Sequence, residues 1–378
     1  MDGAVDGSEA VKLPAKPWYL AAALLTLSAL VLPLGVAITF ADHPPLLVAT
    51  MAAAALFATA AFGFSMPLAL AGVILTCVVT VQLLGDPSVV GNAGSGFWSL
   101  VLAGWLAASL VVTGLAAVKP QNAVLRRLLD LAIPVLFGGF VFYLWEVAVR
   151  GFGVPAVLMP SPSATVVRFS GSLGTLAEDF MQTFVRGMLT GYVIGSTTGF
   201  LMAIIAYRFT FLGRGLLPIG NFISALPIVG IAPIMVMWFG FDWPSKAAVV
   251  AIITFFPMLV NTLAGLSAAG HIERDLMRSY GATPAQTLTK LNLPAAMPFI
   301  FNALKINSTL ALIGAIVAEF FGTPTRGIGF RISIEVARMS LDMVWAEIAL
   351  AAIAGMAFYG IVALAERATT FWHPSYRT

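Results

Sequence analysis

The N-terminal third of this chain is almost free of charge. Between Pro17 and Val118 the only Asp, Glu, Lys or Arg residues are Asp42 and Asp86, and both lie beside Gly- and Pro-containing turn sequences. So few charges cannot cover a water-exposed surface, whereas a bilayer core is crossed by about 20 mostly apolar residues. The segment therefore predicts membrane-spanning helices rather than a soluble domain.

The same character continues to the C-terminus. The 378 residues are 60% hydrophobic and 10% charged, with a mean hydropathy of +0.96, whereas soluble chains carry about 25% charged residues. We predict an all-α, polytopic membrane helical bundle in contact with the lipid bilayer, with about ten spans. They lie at about 17–40, 45–64, 66–85, 97–118, 131–149, 182–206, 216–240, 246–269, 297–321 and 342–366.

Several classes of function are excluded by what the sequence lacks. Cys77 is the only cysteine, and the three histidines have no ligand spacing, so we predict neither a metal site nor a cofactor. No basic run with interleaved aromatics indicates a nucleic-acid partner. The chain has no phosphate-binding G-x-x-x-x-G-K-[ST] sequence and no arguable catalytic set, so we predict that it is not an enzyme.

The basic residues indicate the orientation of the chain. Lys and Arg are enriched in cytoplasmic loops of membrane proteins. Through residue 127 they lie only in segments that are internal if the N-terminus is inside, namely Lys12, Lys16, Lys119, Arg126 and Arg127. The sequence therefore predicts a multi-pass plasma (inner) membrane protein with both termini cytoplasmic, beginning with a cytoplasmic tail at 1–16.

A polar island, "DLMRSYGATPAQTLTKLNLPAAMP" at 275–298, interrupts the apolar sequence on the predicted cytoplasmic side. Before it, apolar residues at helical spacing, Ile272, Leu276 and Met277, predict an amphipathic helix. Gly281 suits the left-handed residue that closes a helix.

A second helix is predicted directly after that turn. Thr283 fits its N-cap and Pro284 its first position, and we expect Pro294 to end it. An exposed short helix with an apolar side suits a groove on a partner protein.

The island resembles a known motif. Asp275-Leu276-Met277, three residues, Gly281, nine residues and Leu291-Asn292-Leu293-Pro294 reproduce the spacing of the EAA loop in permease subunits of ATP-binding-cassette (ABC) importers. The family pattern is Glu-Ala-Ala, three residues, Gly, nine residues and Ile-x-Leu-Pro. Stretches at 161–170, 184–204, 225–265 and 318–332 look like the branch that imports nitrate, sulfonates, taurine, pyrimidines or flavins.

This resemblance implies a domain organisation. It covers about 130–378, so we expect a type I ABC importer permease core at 126–378, with a coupling loop at 271–297. Residues 17–125 then form an extra N-terminal transmembrane segment of about four helices.

The resemblance also implies a function and partners. The chain is expected to translocate a small solute by alternating access, as one of two permeases in a dimer. Its other expected partners are a cytoplasmic ABC ATPase subunit, which binds ATP, and an extracytoplasmic substrate-binding protein. The residues assigned to ATPase coupling are Asp275, Leu276, Met277, Gly281, Ala282, Leu291, Leu293 and Pro294.

Polar residues within the later spans are candidates for the translocation path. Charged groups at membrane depth usually face protein or water. We take Asn307, Ser308 and Glu319 as path candidates, with structural roles as the alternative. For Asn221, Asn261 and Asn302 we favour helix–helix hydrogen bonds.

The glycines of the predicted span 182–206 recur every four residues and indicate close helix packing. They are Gly187, Gly191, Gly195 and Gly199.

An ion-gradient-driven secondary transporter is the alternative function. Its few candidate coupling acids are Glu146, Glu319 and Glu347.

Overall fold

The structure is a computed structural model that describes residues 16–35, 38–61, 66–118, 120, 122–224, 227–322 and 326–372. In these ranges the regular structure is helical, apart from one antiparallel bridge between Gly35 and Ile38. The predicted all-α fold class is confirmed. Of the predicted tail at 1–16, residues 1–15 lie outside the described part.

The chain divides into two compact units, Met1–Ala164 and Thr165–Thr378. The helices of the first unit are α1 (Lys16–Ser28), α2 (Pro44–Ala61), α3 (Met66–Leu83), α4 (Ser95–Ala117) and α5 (Ala123–Gly151), and α6 (Pro162–Gly171) crosses the boundary. The helices of the second are α7 (Leu173–Phe180), α8 (Thr190–Arg208), α9 (Thr210–Ser224), α10 (Ile228–Phe239), α11 (Trp243–Ser267), α12 (His271–Ser279), α13 (Pro284–Thr287), α14 (Leu293–Glu319), α15 (Ile328–Ala337) and α16 (Leu341–Thr369).

Eight helices among the described residues are long and apolar enough to cross a membrane. Two of them are composite, because π-helical turns at Met181–Leu189 and Leu288–Asn292 join α7 to α8 and α13 to α14. Each of the eight overlaps one of the ten predicted spans.

The other two predicted spans, 17–40 and 216–240, are wrong as continuous helices. The first becomes α1, whose 13 residues cover about 20 Å, less than the hydrocarbon thickness of about 30 Å. The second is divided between α9 and α10. The physical reason is Pro227, which lies at the N-cap of α10 with extended backbone and has no N–H to continue a helix.

The first unit contains a four-helix bundle followed by a fifth helix. The helices α1 to α4 pack in a ring in which each touches two others. Its centre contains Phe57, Val73, Ala107 and Val111, all buried. Helix α5 packs along α4 and makes fewer contacts with α3.

The second unit is organised around α11, which packs along α8 on one side and α14 on another. Glycines permit this close approach. A Cβ at Gly191 would lie 2.5 Å from the Ala247 carbonyl oxygen, and one at Gly199 would lie 3.0 Å from the Met258 Cβ. Gly195 also faces α11, against Thr254. The packing interpretation of the glycine stripe is confirmed at these three positions.

The boundary between the compact units lies later than the boundary predicted for the permease core. Helix α5 belongs to the first unit by its contacts, although the resemblance begins the core at 126. The core boundary at 126 remains a prediction, because it rests on the resemblance to a family. The compact units are defined by the packing of the helices instead.

Candidate functional site

The predicted coupling loop is a closed helical turn. Gly281, with φ of +66°, follows α12 in the left-handed conformation. Its N–H donates to the Arg278 carbonyl at 2.9 Å, and the Ala282 N–H donates to the Met277 carbonyl at 2.9 Å. This pair of bonds is the Schellman motif. The expected glycine closure of the helix is confirmed.

The second helix starts as the sequence predicts. Thr283 is the N-cap of α13, and Pro284 follows at its first position. The Thr283 Oγ1 accepts from the Gln286 N–H at 3.3 Å, while the Gln286 Oε1 accepts from the Thr283 N–H at 2.8 Å. The two bonds satisfy backbone donors that the helix start would leave free.

Pro294 does not end this helix, so that expectation was wrong. The helix continues through the π-helical turn at Leu288–Asn292 into α14, giving one helix over Pro284–Glu319. Pro294 lies in the first turn of α14, directly after the π-helical turn. A helix tolerates a missing N–H where its local hydrogen bonding is already rearranged.

The turn exposes apolar side chains. Ile272 is 83% exposed, Leu276 56% and Tyr280 81%, and α12 contains no buried residue. On the polar side, Asp275 Oδ1 lies 3.3 Å from Arg278 Nη1 in an exposed pair. The helix therefore presents an amphipathic surface that the described residues of its unit leave uncovered.

The remaining coupling candidates anchor this surface. Met277, Ala282, Leu291 and Pro294 are half-buried, and Leu293 packs against the buried cluster around Leu266 and Ala296. Between them, the Asn292 Nδ2 donates to the Tyr207 hydroxyl of α8 at 3.1 Å. The base of the turn is thus fixed to the bundle while its tip is exposed.

Two path candidates lie inside the helix packing of the second unit. Asn307 is fully buried, and its Nδ2 donates to Ser196 Oγ at 3.0 Å and to the Thr254 carbonyl at 2.8 Å. The Ser308 hydroxyl donates to the Lys305 carbonyl at 2.7 Å. The Asn307 bonds join α14 to α8 and α11, whereas the Ser308 bond lies within α14. A role of either residue in the path stays a prediction.

The other intramembrane polar residues mostly bond between helices. Asn302 Nδ2 donates to Asn261 Oδ1 at 3.3 Å across α14 and α11, which confirms the favoured interpretation for that pair. Lys305 forms an ion pair with Glu366 of α16 at 2.7 Å. The side chain of Asn221 lies outside the described residues.

Glu319, the last path candidate, belongs to a buried polar cluster at the far end of the helix that begins at Pro284. Thr183 Oγ1 lies 2.8 and 2.9 Å from the two Glu319 oxygens. The Gly329 N–H donates to Glu319 Oε2 at 2.8 Å, and the Ile328 N–H donates to Thr183 Oγ1 at 2.7 Å. Glu319 therefore binds the start of α15 to α14.

Sequence reasoning missed Asp179, the centre of this cluster. Asp179 is fully buried; it accepts from the Gly327 N–H at 2.6 Å and forms an ion pair with Arg331 Nε at 2.9 Å. Glu347 of α16 is buried near Asp179 and Arg331, and among the described residues its carboxylate accepts no hydrogen bond from a basic side chain or a backbone N–H. The only sequence signal for Asp179 was its charge, directly before the apolar span predicted at 182–206.

Lys246 lies at the same end of the second unit, near Glu319. Its side chain is buried, and its Nζ donates to the carbonyls of Phe241 and Gly322 and to Ser245 Oγ. Beside it, Gln182 Nε2 donates to Asp242 Oδ1 at 3.0 Å. That bond and the Trp243 N–H hold the pKa of Asp242 below its ordinary value.

One helix connects an exposed amphipathic turn to a buried polar cluster. Within the described ranges no three His, Cys, Asp or Glu side chains are grouped as a metal site. The class defined by the fold is a polytopic α-helical membrane protein with an exposed amphipathic turn.

Comparisons with known proteins agree with this class. Residues 195–376 match the family described as binding-protein-dependent transport system inner membrane component. The formylaminopyrimidine transport permease protein ThiX of Halalkalibacterium halodurans is 31% identical over 197 residues, which cover 52% of this chain and 78% of that relative. The riboflavin transport system permease protein RibX of Chloroflexus aurantiacus is 28% identical over 233 residues, covering 61% and 86%. The taurine transport system permease protein TauC of Escherichia coli is 28% identical over 271 residues, covering 71% and 85%.

The chain therefore belongs to this family, the inner-membrane permease subunits of ABC importers, in its sulfonate- and taurine-like branch. The named relatives are transport permeases rather than enzymes.

Proposed function

We propose that this chain moves a small solute into the cell by alternating access, powered by ATP hydrolysis on a separate cytoplasmic subunit. The observation that carries the proposal is the turn formed by α12 and α13. It exposes Ile272, Leu276 and Tyr280 on a rigid scaffold with the spacing of the EAA loop. Exposed apolar side chains on a short helix fit a groove on a partner.

The coupling mechanism follows from the helix at Pro284–Glu319. Its 36 residues extend over about 54 Å at 1.5 Å per residue. A displacement of the docked turn by the ATPase is carried along this helix to Glu319 and to the contacts of α15. Rigid-body motion of packed elements is a common way to convert a local event into a gate movement.

The assembly and the cargo are part of the same proposal. Two copies of the permease, two ATPase subunits on the cytoplasmic side and a substrate-binding protein outside form the importer, with both termini of this chain in the cytoplasm. The named relatives transport formylaminopyrimidine, riboflavin and taurine. These names support a small anionic or heterocyclic cargo.

The test uses a matched pair of substitutions at Gly281. Val is strained at φ of +66°, whereas Asn adopts this conformation more readily. With the chain, its ATPase and the substrate-binding protein reconstituted with liposomes, we expect Gly281→Val to abolish ATP-driven uptake and Gly281→Asn to retain most of it.

Two outcomes contradict the proposal. Normal uptake by the Gly281→Val variant would show that the turn does not couple ATP hydrolysis to transport. Uptake that survives ATP depletion but collapses with an ionophore establishes a secondary transporter instead.

A further inference from the structure

The first unit contains an apolar groove between α3, α4 and α5. Its volume is about 650 Å³, and its walls include Ile74, Trp105, Ala108, Leu136 and Tyr143. This volume falls within the range of small-molecule pockets, roughly 300–1,000 Å³. All three helices are candidate membrane spans, so the groove lies at the depth of the lipid chains.

The groove is open because α5 has a gap in its side chains. Gly138 and Gly139 are adjacent in α5, and a Cβ at either would meet no atom within 4 Å. Of the two, Gly139 lines the groove and Gly138 does not. An unfilled apolar space at membrane depth is a place where a lipid chain can pack.

Three hydroxyl groups along the walls are engaged in hydrogen bonds within the protein. The Tyr143 hydroxyl lies 2.8 Å from Thr80 Oγ1. The hydroxyls of Ser109 and Thr113 bond to carbonyls of their own helix at 2.8 and 2.9 Å. The walls therefore ask for an apolar occupant rather than a polar one.

Two arginines lie near the start of α5, before the residues of that helix that line the groove. These residues, Arg126 and Arg127, are exposed, and neither forms an ion pair within the described residues. Arg126 Nη2 donates to the Pro120 carbonyl at 3.4 Å. Exposed Asp130 is the acid nearest them in α5. Arg126 precedes the lining residue Val135 by about 14 Å of helix. At 100° per residue, Arg126 lies about 80° from the direction of Leu136, whereas Arg127 lies on the opposite side.

We propose that this groove is a binding site for an anionic phospholipid, with an acyl chain between α3, α4 and α5 and the phosphate at Arg126. A transmembrane helix does not fit as the occupant, because a cylinder 10 Å wide and 30 Å long fills roughly 2,400 Å³. Basic sites between spans bind anionic head groups. The site is defined by the groove and by Arg126, independently of the leaflet in which they lie.

The experiment measures lipid retained by the purified full-length chain. Native mass spectrometry follows binding of phosphatidylglycerol and of phosphatidylcholine with identical acyl chains. We expect Gly139→Leu to fill the groove and weaken phosphatidylglycerol binding about tenfold, which corresponds to the loss of roughly two buried methylene groups. Gly138→Leu is the matched control and should bind as the wild type does.

The head-group assignment has its own matched pair. Arg126→Gln should reduce the preference for phosphatidylglycerol over phosphatidylcholine about fivefold, whereas Arg127→Gln should change it less. Far-ultraviolet circular dichroism establishes that each variant is folded.

Three results overturn the proposal. One is a wild type that retains no phosphatidylglycerol. Another is equal loss in Gly138→Leu and Gly139→Leu. The third is a change of oligomeric state in Gly139→Leu without loss of lipid, because the groove is then a protein interface. Since uptake is not measured, failure here leaves the proposed transport function unaffected.

Discussion

At the scale of single residues, the buried carboxylates of the second unit are in unequal environments. Asp179 faces Arg331 and the Gly327 N–H, and Glu319 is held by Thr183 and Gly329. In the described part of the chain, the Glu347 oxygens accept no hydrogen bond from a basic side chain or a backbone N–H. A buried charge is costly when it is unpaired and much less so when it is paired and hydrogen-bonded.

This inequality predicts opposite effects of two isosteric substitutions. Asp179→Asn breaks the buried ion pair with Arg331 and should lower stability by about 3 kcal/mol, as breaking such a pair does. Glu347→Gln removes a buried carboxylate that lies beside the like charge of Asp179 and should leave the stability unchanged or increase it. Thermal unfolding of the purified variants measures both. Equal destabilisation would show that Glu347 is engaged as strongly as Asp179.

Local chemistry made some residues predictable and others not. Gly281, Thr283 and Pro284 were assigned correctly because a cap is decided by residues within four positions of it. Asp179 was missed because its partners, Gly327 and Arg331, lie about 150 residues away in the chain. No local pattern carries that information.

At the scale of elements, the helix pairs of the second unit depend on small residues. Helix α8 approaches α11 through Gly191, Gly195 and Gly199, where an added methyl group would meet backbone or side-chain atoms. The four-residue period of these glycines made the packing predictable, whereas the identity of the partner helix was not.

The close contact predicts a sharp penalty at the middle glycine. Gly195→Ala places a methyl group against Ala251 and Thr254 and should cost about 1–3 kcal/mol by overpacking. Gly174→Ala in α7 is the control, because its Cβ meets no atom within 4 Å. Chemical unfolding in detergent compares the two. A loss at Gly174 equal to that at Gly195 would refute the packing explanation.

Element boundaries were harder to predict where prolines occur. Pro227 interrupts a predicted span, whereas Pro294 lies within a helix that continues past it. The difference is the π-helical turn at Leu288–Asn292, whose wider hydrogen bonding leads into Pro294. Nothing in the spacing of apolar residues announces such a turn.

At the scale of the whole molecule, the helix at Pro284–Glu319 links the exposed turn to the buried polar cluster. Both lie in the second unit, so the link depends on the continuity of one helix. Ile306, which is exposed, lies within this helix between the turn and the polar cluster. This position permits the helix to be broken without opening a cavity in the core.

Interrupting the helix should abolish transport while the ATPase stays bound. Ile306→Pro removes a backbone donor and costs about 3 kcal/mol or more; we expect ATPase binding to persist and uptake to be lost. Ile306→Gly, which costs about 1 kcal/mol, should give a partial effect, and Ile306→Ala should give none. Co-purification with the ATPase and uptake in liposomes are the measurements. Uptake that persists in the Pro variant would show that motion travels by another route.

The doubly capped turn has a consequence for the speed and strength of assembly. Because the Schellman bonds and the Thr283–Gln286 pair already fix its backbone, a partner does not have to order it on contact. Little conformational entropy is then lost on association, and more of the contact energy of Ile272, Leu276 and Tyr280 remains as affinity. The turn is preorganised, so the free permease should present the same surface to its partner at every stage of the cycle.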